Sequence, residues 1–192
     1  SVASGILNTA SMQLPSIYIA FQYGPVISGI YLMTNRLVAI PLALFGQSMS
    51  QTFSSAFKLI NNINEKKRLL SAVVAKSASL SFIVFLAVAL ITPHIVTPVL
   101  GEEWRDVATF LVYLIPMYFA QFSVFPINNV LNMLNQQKQA LIWDMSRFFV
   151  LVSLSVAATF FELEVTNYLA IYSGIMFVFY LILWLVTRRN LK

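Results

Sequence analysis

The sequence predicts an all-α, polytopic membrane protein, a single six-transmembrane-helix bundle formed by residues 1–192. Three observations lead there. Hydrophobic residues make up 59% of the chain and charged residues only 10%, against the ~45–50% and ~25% usual in soluble domains. Six windows reach the roughly 20 mostly apolar residues that a membrane-spanning helix needs. The basic residues gather in alternate connections between those windows. This composition excludes a disordered chain and an ordinary soluble enzyme. With no cysteine, a disulfide framework, a thiolate nucleophile and a Cys-based zinc site are excluded too. A net charge of +5 is too small for a nucleic-acid surface, so no nucleic-acid partner is expected.

The windows fall at about 3–22 (span A), 26–54 (B), 71–93 (C), 107–134 (D), 139–161 (E) and 165–187 (F). Spans B and D exceed one bilayer thickness and must tilt, kink or run past it. Pro41 in B, and Pro116 and Pro126 in D, are expected kink points. Residues 57–70 read as a polar helical extension, and the other connections are short.

Charge fixes the expected orientation, because Lys and Arg at membrane ends favour the cytoplasm. Lys58, Lys66, Lys67, Arg68 and Lys76 flank the B–C link, Lys138 follows D, and Arg188, Arg189 and Lys192 follow F. Glu102, Glu103 and Asp106 oppose the lone Arg105 between C and D, and Glu162 and Glu164 lie between E and F. Both termini are therefore expected in the cytoplasm. The chain has no secretory signal at Ser1–Ser4 and begins almost inside span A, so a fragment of a longer protein is expected.

Apart from Lys76 at the basic end of C, three ionisable residues fall within spans: Arg36 in B, and Asp144 and Arg147 in E. Each costs about 2.5–3.5 kcal/mol at mid-helix and less near an interface. Asp144 and Arg147, three residues apart, share a helix face and can pair. The pair either faces a wet interior or anchors the end of E; Arg36 either faces that interior or snorkels outward. Neutral polar residues align as well. Gln121, Asn128, Asn132 and Asn135 form a stripe on D; Gln47, Gln51, Ser54 and Lys58 form one on B; Asn8, Ser11, Pro15, Tyr18 and Gln22 form one on A. Amides can simply glue helices together, at about 0.6 kcal/mol each. Three striped helices and three charges favour a hydrated cavity lined by A, B, D and part of E. Tyr23, Trp104, Tyr168 and Tyr172 at one face, and Trp143 and Trp184 at the other, read as interfacial belts.

Enzyme signals are missing. Gly46-Gln47-Ser48-Met49-Ser50 does not match a G-x-S-x-G elbow. No P-loop is present, and His94, the single histidine, lies at a membrane edge beside Pro93. Neither an enzyme nor a bound cofactor or metal is expected.

The order of motifs carries a resemblance. Tyr23-Gly24-Pro25, Gly29-Ile30-Tyr31, Arg36, Ile40-Pro41, Gly46 and Gln51 run along span B. Pro98-x-Leu100-Gly101-Glu102-Glu103-Trp104 fills the C–D loop, and Leu131-Asn132-Met133-Leu134-Asn135-Gln136-Gln137 ends span D. Together they resemble the C-terminal half of polysaccharide-type (Wzx-like) flippases of the multidrug/oligosaccharidyl-lipid/polysaccharide exporter superfamily. The resemblance implies one lobe of a two-lobe transporter, with an N-terminal six-helix lobe as its missing partner. It implies transport of an undecaprenyl-diphosphate-linked oligosaccharide across the bacterial inner membrane, by alternating access, for O-antigen, capsule or exopolysaccharide assembly. Arg36 and Arg147 would then contact the diphosphate. Gln47, Gln51, Gln121, Asn128 and Asn132 would contact sugar hydroxyls, and Asp144 would couple transport to H⁺ or Na⁺. Membrane lipids are the other expected partners. Three alternatives stay open: a cation-coupled drug antiporter of the same superfamily, a membrane-embedded polysaccharide polymerase or ligase subunit, and a purely structural membrane subunit.

Overall fold

The computed structural model describes residues 2–128, 130–134 and 136–191, and every regular element among them is helical. The helices are α1 (Val2–Tyr23), α2 (Pro25–Leu59), α3 (Ile63–Leu100), α4 (Asp106–Val124), α5 (Val130–Met133), α6 (Gln137–Phe160) and α7 (Val165–Asn190). By length and composition, four stretches can cross a membrane: Ile63–Leu100, Glu102–Ile127, Gln137–Phe160 and Val165–Asn190. The two remaining long helices, α1 and α2, carry the polar stripes of spans A and B.

The boundaries have local causes. Gly24 and Gly101 break the chain with φ of 92° and 97°, backbone that costs a residue with a Cβ far more than glycine. Pro25 starts α2, where its missing N–H leaves nothing unbonded. Asn62 caps α3 by accepting from the Asn64 amide at 2.9 Å. Lys58 ends α2, and Arg188 and Arg189 end α7, placing positive charge where the helix dipoles are negative.

Two expectations need correction. The polar extension at 57–70 is not one helix: Ile60 turns extended, and the Asn62 cap starts a new helix. Span D is also divided, so the described residues hold seven helices instead of six. Helix α4 runs unbroken through Pro116 but stops at Val124, and a 3-10 turn at Phe125–Ile127 follows. Pro126 has no amide hydrogen to continue the α-helical ladder. The stripe drawn through Gln121, Asn128, Asn132 and Asn135 on one continuous helix therefore does not exist in that form. Asn135 and the side chain of Asn132 lie outside the described residues.

Helix α4 is the centre of the bundle. It packs against α2, α3 and α7, while α1 packs against α2 and α6. Polar bonds join the packed pairs, as small polar residues do between helices in membranes. Ser28 donates to the Ser16 carbonyl at 3.2 Å, joining α2 to α1. Ser81 donates to the Phe119 carbonyl at 3.1 Å, joining α3 to α4. The Met117 amide, freed beside Pro116, donates to Ser173 Oγ at 3.0 Å and joins α4 to α7. Tyr168 and Tyr172, expected in an interfacial belt, are buried on α7 instead. They share one face with Met176, Tyr180 and Leu183, all buried too.

The 3-10 turn is pressed onto α2 at Gly46. A Cβ there would lie 2.6 Å from the Phe125 ring, closer than packed atoms tolerate. Gly46→Ala is therefore expected to destabilise the fold by roughly 1–3 kcal/mol, the usual cost of overpacking. In thermal unfolding, adding Phe125→Ala should recover most of the loss; equal loss in both backgrounds would show that the two do not touch.

Candidate functional site

A polar hollow of ≈ 570 Å³ opens in the half of the bundle nearer the chain termini. Its walls come from every helix except α3. Asn8 and Met12 stand on α1, Ser50 on α2, Gln121 on α4, and Phe125 and Asn128 on the turn. Leu131 of α5, Trp143, Asp144 and Arg147 of α6, and Tyr180 and Leu183 of α7 complete it. Its volume lies within the roughly 300–1,000 Å³ range of small-molecule sites. Gln121 and Asn128, on either side of the turn, both line the hollow.

Arg147 is the central group. Its side chain is 1% exposed, and its Nη2 lies 3.1 Å from Asp144 Oδ1. The same nitrogen donates to Asn8 Oδ1 at 2.7 Å, so the guanidinium ties α6 to α1. Its carbon sits 4.4 Å from the Trp143 ring centroid, a cation–π contact. Trp143 is itself fixed, donating its indole N–H to the Phe179 carbonyl of α7 at 3.1 Å. Two donors on these walls, Arg147 Nε and the Tyr180 hydroxyl, are buried without a hydrogen-bond partner among the described residues. A charge in this position is held by one carboxylate, one amide and one aromatic face, with hydrogen-bonding capacity to spare.

The structure thus brings Arg147, Asp144, Gln121 and Asn128 together. It does not bring Arg36, Gln47 or Gln51 to these walls; all three are exposed on α2. Their spacing of 11 and 4 residues places them on one face of that helix. The side chain of Asn132 lies outside the described residues. Asn8, Ser50, Trp143 and Tyr180 belong to the site as well. Asn8 was visible as part of the stripe on span A. Tyr180 was signalled by its spacing of 8 from Tyr172, which puts both on one face of α7.

Among the described residues, no group of three or more His, Cys, Asp and Glu side chains could hold a metal ion.

Removing one member of a buried ion pair leaves the other charge unbalanced, at about 3–5 kcal/mol. Asp144→Asn is expected to destabilise the protein on that scale, and Asn8→Ala by less, about 1.5–3 kcal/mol for a hydrogen bond to a charged group. Thermal unfolding in lipid nanodiscs measures both. An unchanged midpoint for Asp144→Asn would mean that the guanidinium is stabilised without its carboxylate.

No curated protein and no solved structure matches the chain. The family model described as "Polysaccharide biosynthesis protein" matches residues 1–109. That stretch covers α1, α2, α3 and the start of α4, which supply the Asn8 and Ser50 walls of the hollow. With more than half of its length matched, the chain belongs to the polysaccharide biosynthesis protein family.

Proposed function

We propose that the chain is one lobe of a transporter that moves an undecaprenyl-diphosphate-linked oligosaccharide across the bacterial inner membrane by alternating access. The single observation that carries the reading is Arg147, a buried cation with an unused donor in a polar hollow. A guanidinium suits a diphosphate because its planar fork bonds two oxygens at once. Gln121 and Asn128, on the same walls, suit sugar hydroxyls because each amide both donates and accepts. The family match supports a role in polysaccharide synthesis or export.

The exposed face of α2 supports the second half of the reading. Arg36, Gln47 and Gln51 are exposed there, and polar side chains facing lipid are costly. An N-terminal six-helix lobe laid against this face would cover them and bring them to a shared central path. Asp144 is the group proposed to couple transport to H⁺ or Na⁺. Its pairing with Arg147 weakens the drug-antiporter alternative, because it leaves the hollow no net negative charge from these two residues. No enzymatic step and no bound cofactor enters the proposal. The basic ends of α2 and α7 support a cytoplasmic location for both chain termini, because Lys and Arg at membrane ends favour that side.

The test is complementation of a flippase-deficient strain by full-length variants, with membrane insertion measured in parallel. Arg147→Gln combined with Asp144→Asn keeps the pair neutral and hydrogen-bonded but removes the cation. It should insert normally and lose at least tenfold in transport, about 1.4 kcal/mol in transition-state terms. Arg147→Lys should retain part of the activity, since charge survives without the fork. Full complementation by the neutral double variant would exclude Arg147 as the anion contact.

A further inference from the structure

The polar hollow borders a second chamber. This one measures ≈ 260 Å³ and lies among α1, α2, α4 and α7. Met12, Gln121 and Tyr180 are walls of both. Four tyrosines surround the second chamber: Tyr31, Tyr118, Tyr172 and Tyr180. All four are buried, and none was expected to bear on function.

One of their hydroxyls is already organised: Tyr118 donates to Asn35 Oδ1. The Tyr180 hydroxyl, by contrast, is buried without a partner among the described residues, on a side chain 2% exposed. Among the described residues, the chamber wall carries no ionisable group besides these phenols. It offers aromatic faces together with the amides of Gln13, Asn35 and Gln121.

We infer that this chamber is a binding subsite for one neutral sugar ring. A pyranose has C–H faces that lie on aromatic rings, and equatorial hydroxyls that both donate and accept. Tyrosine rings and amides match both features. An organic cation would also favour aromatic faces, but it has no use for amide donors, and no unpaired carboxylate lines the walls. The Tyr180 hydroxyl, at the junction of the two chambers, is the donor or acceptor that the ring completes. The inference rests on the lipid-diphosphate reading for one point only: with a diphosphate at Arg147, the ring in this chamber is the sugar bonded to it.

The experiment is a binding titration on the full chain in lipid nanodiscs, read by its tryptophan fluorescence, to which Trp143, with its ring 6.3 Å from that of Tyr180, contributes. Four probes are used: farnesyl diphosphate, and the same diphosphate bearing glucose, galactose or N-acetylglucosamine. At least one sugar-bearing probe should bind about tenfold tighter than bare farnesyl diphosphate, the equivalent of one well-made polar contact. Tyr180→Phe, which keeps the ring, should remove most of that increment. Asn35→Ala, at a residue outside the hollow around Arg147, should do the same and leave bare farnesyl diphosphate within about twofold. The inference is overturned if no sugar adds affinity, or if both variants keep the increment intact. Arg147→Gln reads the other claim: unchanged affinity for bare farnesyl diphosphate would sink the diphosphate reading. A sugar increment still sensitive to Tyr180→Phe in that background would leave the chamber assignment standing.

Discussion

A guanidinium placed inside an apolar bundle is the constraint on which the rest of this structure depends. Arg147 cannot reach solvent by snorkelling from a position where it is 1% exposed, so the protein must solvate it. The solution draws on three helices. Asp144 supplies the charge from the same face of α6, Asn8 supplies a carbonyl from α1, and Trp143 supplies a ring that α7 holds in place. Removing any one of these leaves a charged group less satisfied in a low-dielectric setting, which is why the site and the fold share the same residues.

The break in α4 follows the same logic. A continuous helix over residues 107–134 would send Gln121 and Asn128 along a straight stripe. The turn at Phe125–Ile127 interrupts the α-helix and sets Phe125 against Gly46. Close approach at Gly46 is what allows the turn to pack on α2. Asn128, just past the turn, lines the hollow with Arg147, and the tyrosine-lined chamber shares Met12, Gln121 and Tyr180 with it.

Much of this was legible in the amino-acid order. Hydropathy placed α1, α2, α6 and α7 to within a few residues, since each span is a long apolar run with polar flanks. The Asp144–Arg147 pair could be read from a spacing of three. What failed was non-local. Whether Pro126 would kink a helix or end it depended on Phe125 meeting Gly46 on another helix. Tyr168 and Tyr172 looked like belt residues because their position near a span end is shared by both roles. Packing of α7 against its neighbours puts them inside, with the Tyr18 ring of α1 4.6 Å from that of Tyr168. The amides on α2 were read as cavity walls, yet the chain leaves Gln47 and Gln51 exposed, because α2 turns a different face toward α4. A stripe shows which residues share a side of a helix, but not what that side meets.

The central claim is that water and an anion share the hollow around Arg147. Single-cysteine accessibility tests it most directly, in a chain that has no native cysteine to remove. Cysteines at positions 8, 50, 121 and 128 line the hollow, whereas those at 112, 156 and 178 replace exposed apolar residues elsewhere on the bundle. With the full chain in lipid, a water-soluble thiol reagent should label the first set and not the second. Added farnesyl diphosphate should slow labelling at 121 and 128. Equal protection of both sets would contradict the account, and would reduce the polar side chains around Arg147 to internal struts of the bundle.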